Sequence, residues 1–326
     1  EVGVVRSTRV PTGEETERRP TMPIEPTKHI WMNGELVPWE QATTHVLTHT
    51  LHYGTGVFEG IRAYETSDGP GVFRLTEHMQ RLHESAHIMM MELPYSVEEL
   101  VEATKLVVRD SGLSSCYIRP IAYFGYGEMG LNTMPCEVDV AIACWPWRAY
   151  LGDDAVTKRV SMKISSWQRH DHNTMPPASK TTGNYVNSSL AKVEALRAGY
   201  DEAIMLNPQG LVSECTGENI FVARGGRLVT PPVSAGALEG LTQDTVMALA
   251  EDHGFEVIVS DLARSDVYLA EEMFVCGTAA EVSAVNSVDH RKIPCPGPMT
   301  TALAEDYAKC VRGELPQHKD WVELVG

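Results

Sequence analysis

Hydrophobic and polar positions follow patterns that predict a hairpin and two helices after the first 27 residues. Asn33 and Gly34 separate two apolar segments, and this pair is the commonest sequence of a tight β-hairpin. Residues 76–91 carry apolar side chains at helical spacing. Ser96 begins a capping box ahead of a second helix, which Gly112 is expected to end.

Strand patterns then alternate with helix patterns. The segment SCYIRPIAYF is rich in β-branched and aromatic residues, and a period of two places Tyr117 and Arg119 on one face. A second strand, VDVAIACW, follows it. Strands are also predicted at RVSMKISSW, EAIML, LVSEC and FEVIVSD, and helices over residues 185–199 and 242–254. These patterns indicate an α/β or α+β fold without internal repeats.

The length of 326 residues fits two domains of ordinary size. Residues 1–27 are charged and rich in proline, so we expect a flexible N-terminal extension. Proline, glycine and paired acids mark a linker at residues 145–156. We therefore expect a small N-terminal domain at residues 28–144 and a large C-terminal domain at residues 157–326.

Composition and charge narrow the classes of function. The chain has 27 basic and 44 acidic residues, a net charge of -17, and no basic stripe that could follow a nucleic-acid backbone. The longest unbroken apolar run, Val140–Trp147, is far shorter than the roughly 20 residues that span a bilayer. Seven cysteines without a CxxC pair favour reduced thiols in the cytoplasm. We expect neither a nucleic-acid nor a membrane partner.

Two motifs suggest chemistry that their surroundings do not support. GYGEMG, residues 125–130, matches the dinucleotide fingerprint, but Pro135 obstructs the helix that the fingerprint requires. HDH, residues 170–172, has no third ligand at a metal-binding spacing. We therefore expect loops at both places, with no metal site, and a nicotinamide-dependent dehydrogenase is a disfavoured alternative.

The segment PPASKTTGNY places Lys180 in an unusual setting for a lysine. Small or rigid residues surround it, and no helical periodicity runs through the segment. A lysine amine desolvated in this way can lose its proton near neutral pH and form a Schiff base with an aldehyde, usually that of pyridoxal phosphate. On composition alone, the alternative of a solvated surface lysine is the stronger one.

Downstream segments offer the two further groups that this cofactor needs. Glu214 lies on a predicted strand among apolar neighbours and could keep the pyridine nitrogen protonated. For the phosphate, Thr242 can cap a helix whose free N–H groups face an anion, and Thr278 follows Gly277 at a strand end. A surface strand residue and an ordinary helix cap explain Glu214 and Thr242 equally well.

Taken together, these segments resemble the class IV, fold type IV pyridoxal-phosphate enzymes, and among them the branched-chain amino-acid aminotransferases. The matching motifs occur in the family's order from about residue 29 to the last residue. They are HYGTGVFEGIRAY, FRLTEHMQRL, YIRP, MGLN, PWRAYLG, PPASKTTGNY, SECTGENIF, GLTQD and CGTAAE. The resemblance implies a barrel-like sheet in the large domain and a homodimer or higher homo-oligomer.

The resemblance also implies a role for each matching residue, with Lys180 as the catalytic one. The cofactor-binding residues would be Arg81, Lys180, Tyr185, Glu214, Leu241, Thr242 and Thr278. The substrate-binding residues would be Tyr53, Phe58, Gly60, Tyr117, Arg119, Leu131, Trp147, Tyr150, Thr278 and Ala279. Of these, Tyr53 and Leu131 would reach over from a second subunit. The implied reaction transfers an amino group between L-leucine, L-isoleucine or L-valine and 2-oxoglutarate.

The implied pocket must accept an aliphatic side chain and also the second carboxylate of glutamate. We expect Phe58, Trp147 and Tyr150 to surround the former and Arg119 to bind the latter.

The nearest alternative is another class IV enzyme, a D-amino-acid aminotransferase or an aminodeoxychorismate lyase. The loop that contains Leu131 lacks the Arg-x-His carboxylate trap of D-amino-acid enzymes, which disfavours that alternative. A non-catalytic binding protein that kept the fold is a further one.

Overall fold

The structure, a computed structural model, describes residues 24–147 and 159–326. The first part contains β1 (His29–Met32), β2 (Glu35–Pro38), α1 (His49–Tyr53), β3 (Gly56–Phe58), β4 (Ile61–Thr66), β5 (Gly69–Phe73), α2 (Leu75–Ile88), α3 (Val97–Ser111), β6 (Cys116–Phe124) and β7 (Val138–Trp145). The second part contains β8 (Arg159–Gln168), α4 (Asn184–Arg197), β9 (Glu202–Leu206), β10 (Val212–Cys215), β11 (Asn219–Arg224), β12 (Arg227–Thr230), α5 (Leu241–Asp252), β13 (Val257–Val259), α6 (Arg264–Tyr268), β14 (Glu272–Gly277), β15 (Glu281–Val288), β16 (Arg291–Lys292), α7 (Pro298–Cys310) and β17 (Val322–Leu324). Within these described ranges, no helix is long and apolar enough to cross a membrane.

The first sheet contains eight of the described strands, in the order β17-β5-β4-β6-β7-β1-β2, with β3 paired to β6. Its centre is the antiparallel ladder between β6 and β7. The predicted hairpin between β1 and β2 is confirmed. Its turn places Asn33 at a φ of 49° and Gly34 at a φ of 99°, the left-handed backbone that this residue pair adopts most readily.

Helices α2 and α3 pack beside this sheet and share its core. The predicted capping box at the start of α3 is confirmed, because the Glu99 N–H donates to Ser96 Oγ and the Ser96 N–H donates to the Glu99 carboxylate. Gly112 ends α3 in the left-handed region, as predicted. The end of α2 differs from the prediction. This helix stops at Ile88, because Met90 adopts a φ of 54° and the chain leaves the helix.

The second sheet contains nine of the described strands, in the order β10-β9-β8-β15-β14-β11-β12-β13, with β16 paired to β15. It mixes the parallel pairs β8–β9, β8–β15 and β12–β13 with antiparallel neighbours. The sheet curls into a half barrel, and the predicted mixed α/β architecture is confirmed. Helix α4 packs against β8 and β9, while α5 and α7 pack against β14.

Two helix starts in the second part bear on the candidate site. Helix α4 begins at Asn184, one residue before the predicted start. Helix α5 has Gly240 as its N-cap, so the prediction that Thr242 caps this helix is wrong. A side chain has no room at Gly240, because a Cβ atom there would lie 2.0 Å from Asn219 Oδ1. No described side chain caps α5, which leaves its first N–H groups for another acceptor.

The two sheets meet at a shared hydrophobic core. Tyr64 and Phe73 of the first sheet pack with Phe221, Leu249 and Tyr307 of the second part. This packing fixes the two sheets against each other along the edge where the candidate site lies. The predicted linker at residues 145–156 falls largely outside the described residues, and the domain boundaries stay a prediction.

The last strand, β17, belongs to the first sheet rather than to the second. Val322 lies opposite Phe73 in an antiparallel pairing with β5. The Arg109 side chain donates to the Val325 carbonyl at 2.8 Å, and the Val325 side chain is buried in the first core. The end of the described chain is therefore an integral part of the sheet that the first residues begin.

Candidate active site

Lys180 lies between two turns, in a segment that is fixed against β3. The Phe58 N–H donates to the Lys180 carbonyl at 3.1 Å, and the Lys180 N–H donates to Ser85 Oγ at 3.0 Å. Two residues further on, the Thr182 N–H donates to the Gly56 carbonyl at 2.8 Å. These bonds tie the lysine backbone to the first sheet and to α2, so the position of the side chain is set by both parts of the chain.

The lysine amine lies between two aromatic rings. Nζ donates to Tyr185 Oη at 2.9 Å and lies 5.4 Å from the ring centroids of both Phe58 and Tyr185. The two rings pack edge to face with their centroids 4.9 Å apart. Tyr185 reaches the amine because α4 begins directly after the lysine segment. The structure thus brings together Lys180, Tyr185 and Phe58, which the sequence predicted as site residues.

Glu214 lies on β10 and is buried, as its apolar neighbours predicted. Its Oε1 is 2.6 Å from an Nη atom of Arg169, and its Oε2 accepts a bond from the Leu238 N–H at 3.0 Å. Burial raises the pKa of Glu214, against the opposing charges of Arg169, Lys180 and Arg81. Because Lys180 and Arg81 both act on its pKa, these three predicted residues share one electrostatic neighbourhood.

Arg81 projects from α2 toward the segment that precedes α5. Its Nε and one Nη atom donate to the two carboxylate oxygens of Glu59, at 2.7 and 2.9 Å. Its other Nη atom donates to the Glu239 carbonyl at 2.7 Å, one residue before Gly240. A guanidinium has five N–H groups, so these bonds among described residues use three of them. Arg81 therefore keeps two donors beside the uncapped start of α5.

Thr278 and Ala279 lie in the turn between β14 and β15. Asn219 links this turn to the start of α5, because it pairs with Cys276 in the sheet and donates to the Leu238 carbonyl at 3.0 Å. A Cβ atom on Gly277 would lie 3.3 Å from the Gly217 carbonyl oxygen, so the backbone segments approach closely there. The predicted phosphate residues Arg81, Leu241, Thr242 and Thr278 are thus carried by segments that meet at one place.

The predicted substrate residues of the first sheet form a connected aromatic wall. Tyr117 Oη accepts a bond from an Arg119 Nη atom at 2.9 Å, and the Arg119 guanidinium lies 4.7 Å from the Phe58 ring centroid. The Trp147 ring centroid is 4.5 Å from that of Tyr117. A Cβ atom at Gly60 would lie 2.2 Å from Tyr117 Oη, so glycine is required for this close approach. Tyr150, also predicted here, lies outside the described residues.

Tyr53, the last residue of α1, lies against the exposed loop that carries Leu131. Tyr53 Oη donates to the Met129 carbonyl at 3.1 Å, and His49 Nε2 donates to the Gly130 carbonyl at 2.8 Å. The Leu131 side chain is 82% exposed and Tyr53 is 43% exposed. The GYGEMG segment is therefore a loop tied to α1, and the helix that a dinucleotide site needs does not follow it.

Sequence reasoning missed three residues that organise the site. Glu59 bonds Arg81, His78 bonds Glu59, and Arg169 pairs with Glu214. No local pattern marks these residues, because each partner lies on a different element. The signal that could have found them is the burial of charge, since a carboxylate on a buried strand requires a cation or several donors nearby.

The donor set fits pyridoxal phosphate. The Lys180 amine can bind the aldehyde, and Glu214, whose proton affinity burial increases, can pair with the ring nitrogen. The uncapped start of α5 and the two remaining Arg81 donors suit a phosphate group. The fold and this donor set define a pyridoxal-phosphate-dependent enzyme of fold type IV.

Comparisons with known proteins identify the family of enzymes to which this chain belongs. The model of the family described as Amino-transferase class IV matches residues 56–288. The chain is 48% identical over 298 residues to the Branched-chain-amino-acid aminotransferase of Pseudomonas aeruginosa, covering 91% of this chain and 97% of that protein. The same enzyme of Escherichia coli (strain K12) is 45% identical over 301 residues, covering 91% and 97%. The chain belongs to the class IV aminotransferases.

Solved structures give the same result. The Escherichia coli branched-chain amino acid aminotransferase has a TM-score of 0.90 and 44% identity, over 92% of this chain and 100% of that one. The branched-chain amino acid aminotransferase from Thermobaculum terrenum, in its PLP-form, has a TM-score of 0.87 and 36% identity, over 93% and 99%. Both the fold and the family expectations are confirmed.

Proposed function

We propose that this chain is a pyridoxal-phosphate-dependent branched-chain-amino-acid transaminase. It transfers an amino group between L-leucine, L-isoleucine or L-valine and 2-oxoglutarate. The observation that carries the proposal is the Lys180 amine, held on Tyr185 Oη within the electrostatic neighbourhood of Glu214 and Arg81. The relatives described above favour this function over a D-amino-acid aminotransferase or an aminodeoxychorismate lyase.

Lys180 has two tasks in this reaction. Pyridoxal phosphate, when bound, supplies an aldehyde that joins amines and a ring that withdraws electrons from the carbon bearing the amino group. Lys180 Nζ binds the aldehyde, and Tyr185 Oη orients the amine through their hydrogen bond. With a substrate amine on that aldehyde, Lys180 Nζ would be a free amine beside the α-carbon, and it would be the base that takes the α-proton and later returns it. The same side chain thus holds the cofactor and moves the proton.

Charged groups at the two ends of the site hold the cofactor. Glu214 keeps a proton on the ring nitrogen, and its bonds from Arg169 and Leu238 fix the carboxylate for that contact. Arg81, Thr242, Thr278 and the Leu241 N–H bind the phosphate, supported by the uncapped start of α5. The helix start adds positive partial charge beside the guanidinium, which favours a dianion there.

The substrate side of the site must accept both apolar and acidic side chains. Phe58 and Trp147 would surround the aliphatic group, with Gly60, Thr278 and Ala279 beside them. The family resemblance assigns the same role to Tyr150, which lies outside the described residues. Arg119 supplies a cation for the second carboxylate of glutamate. The support for this assignment is that Arg119 stacks on Phe58 while it donates to Tyr117.

The site is completed in a homodimer, in which Tyr53 and Leu131 of one copy reach the site of the other. Support comes from their exposure and from a second apolar surface on α4. The side chains of Val186, Leu190 and Val193 are 64%, 43% and 48% exposed on that helix. Exposed apolar groups of this size mark interaction surfaces. The seven free cysteines favour the cytoplasm as the location of this dimer.

Two assays on the purified protein test the function. L-leucine should convert 2-oxoglutarate to glutamate, whereas D-alanine should give no reaction above background. Equal or faster reaction with D-alanine would favour the alternative class IV enzyme.

Borohydride reduction of the protein loaded with pyridoxal phosphate, followed by peptide mapping, should place the label on Lys180. Lys180→Ala should lower kcat by about 10²- to 10⁴-fold or more, since it removes the proton-transferring base. Lys292→Ala, at an exposed position on β16, is the control and should retain activity. A label on another lysine would contradict the assignment.

A further inference from the structure

Glu59 lies between two substrate-wall residues, Phe58 and Gly60, yet its side chain points away from solvent and is fully buried. Its carboxylate oxygens accept the two bonds from Arg81, together with a bond from His78 Nδ1 at 2.7 Å. The Gly60 N–H adds a longer bond to Oε2 at 3.3 Å. A carboxylate buried this completely is stable only because both of its oxygens are satisfied by charged or N–H donors.

The charge of Glu59 is fixed by these partners. Burial alone would raise the pKa of Glu59, but the charge of Arg81 and the donation from His78 outweigh it and hold the pKa well below its usual range. Burial lowers the pKa of His78, which favours the neutral ring that donates through Nδ1. Glu59 is therefore a permanent anion behind Arg81.

The geometry of the guanidinium limits how Arg81 can point. Glu59 occupies the edge formed by Nε and one Nη atom, and the Glu239 carbonyl accepts from the other Nη atom. A bidentate pair of this kind fixes the plane of the guanidinium as well as its position. The two N–H groups that these described bonds leave over are therefore presented in fixed directions near Gly240, the N-cap of α5.

We propose that Glu59 is the positioning residue of the phosphate site. It holds the Arg81 guanidinium in the plane in which its two remaining N–H groups and the start of α5 serve the same phosphate. This inference rests on the proposed function, in which Arg81 binds the cofactor phosphate. It assigns Glu59 no contact with the cofactor itself, because both carboxylate oxygens are already turned toward Arg81 and His78.

The test compares two probes that differ only in the phosphate, pyridoxal phosphate and pyridoxal. Equilibrium binding of each probe to the apoprotein gives two affinities. The affinity for pyridoxal phosphate divided by that for pyridoxal, the affinity ratio, reports on the phosphate site separately from the lysine. Glu59→Gln places an amide NH₂ against the Arg81 donors and should weaken pyridoxal phosphate binding about ten- to a hundredfold. Pyridoxal binding should change by less than about threefold. An unchanged ratio in the folded variant would overturn the proposal.

Glu59→Asp is the second variant, in case Glu59→Gln does not fold. It keeps the charge but is one methylene shorter, so the bidentate contact is lost while the buried anion remains. The affinity ratio should again fall, by less than for Glu59→Gln. If Glu59→Asp folds and keeps the wild-type ratio, Glu59 has no positioning role.

Two further variants serve as controls. The first shows what a general loss of stability does to the ratio, and the second shows whether the proposed function itself, and not only this inference, is wrong. Glu272→Gln removes another buried carboxylate, one that accepts from the Thr300 N–H and hydroxyl, and should lower stability with an unchanged ratio. Arg81→Lys keeps the charge but loses the bidentate fork, and should lower the ratio. If Arg81→Lys leaves the ratio unchanged, the phosphate assignment of the proposed function is wrong. If it lowers the ratio and the Glu59 variants do not, only the positioning role is wrong.

Discussion

Glu59 and Glu214 are buried carboxylates of the same site, yet their pKa values move in opposite directions. Both are desolvated, and both have an arginine partner. Glu59 receives two bonds from Arg81 and one from His78, and its pKa is lowered. Glu214 has one Arg169 contact and one backbone N–H, and its pKa is raised, with burial as the largest cause.

The difference shows that the number and charge of donors, more than burial, sets the state of a buried acid. Glu59 has so many donors that it keeps its charge under all ordinary conditions, which suits an anchor. Glu214 retains affinity for a proton, which suits a group that shares one with a ring nitrogen. Glu59 is thus a carboxylate of fixed charge at one end of the site, and Glu214 is a carboxyl at the other end that can gain or lose a proton.

The largest expected effect is on catalysis, in Glu214→Gln. The amide cannot keep the ring nitrogen charged, so kcat should fall by about 10²- to 10⁴-fold. Cofactor affinity should change much less, because the phosphate site is intact. Single-turnover kinetics with L-leucine and cofactor titration measure the two quantities. A large loss of cofactor affinity with an unchanged rate of the cofactor-bound enzyme would contradict this prediction. Glu214 would then act in cofactor binding, the role assigned here to Glu59.

Arg169→Met should have the next largest effect, on stability. Removing the cation leaves Glu214 buried with one N–H partner, which costs about 3 to 5 kcal/mol in the free energy of unfolding. The pKa of Glu214, already raised, should rise further. A carboxyl whose pKa is higher in the folded state than in the unfolded state stabilises the fold at pH values below its unfolded pKa. This stabilisation is lost as the pH rises through the folded pKa. The deficit of this variant should therefore be larger at pH 8 than at pH 5.

Chemical denaturation at both pH values measures this deficit. Arg264→Met is the matched control, since Arg264 is 49% exposed and its nearest Asp289 oxygen is 3.8 Å away. That variant should lose less than about 1 kcal/mol at either pH. The same loss for Arg169→Met at pH 5 and pH 8 would show that Glu214 does not titrate in this way.

A third buried acid extends the comparison with a smaller effect. Glu218 packs near Glu202, and burial together with the charge of Glu202 raises the pKa of Glu218 from 4.5 to about 8. A carboxyl whose pKa is raised in this way destabilises the fold as the pH rises from 4.5 through 8. Glu218→Gln imitates the protonated acid. It should be more stable than wild type at pH 9 by at least about 1 kcal/mol.

Thermal or chemical unfolding between pH 5 and pH 9 checks the Glu218 prediction. Glu256→Gln, at an exposed position, should give a curve parallel to that of the wild type. A Glu218→Gln curve that also runs parallel would mean that Glu218 is already charged at neutral pH. In that case it would resemble Glu59, and the count of donors would not explain the difference.

Local patterns predicted those parts of the fold and site that are determined locally. The turn at Asn33 and the capping box at Ser96 are examples, since their sequences favour one backbone conformation. The setting of Lys180 among small and rigid residues marked it as a candidate, whereas Tyr185, which bonds its amine, came from the family resemblance. Family resemblance, not periodicity, supplied Arg81, because on the pattern alone it is a helix surface residue.

The rest depends on contacts between distant parts of the chain. Glu59 bonds Arg81 across 22 residues, and Gly240, which lies against Asn219, is the N-cap of α5 in place of Thr242. Arg169 reaches Glu214 only when β8 and β10 lie in the same sheet. No periodicity in a single segment contains such information, although the unfavourable free energy of burying a charge indicates that a partner must exist.

The pairing of β17 with β5 has a consequence for biosynthesis. A ribosome releases the first sheet's other strands early, but β5 stays an open edge until residue 324 has emerged. The edge of β5 can therefore be covered only after both parts of the chain have been synthesised, so an unpaired strand edge stays exposed until then.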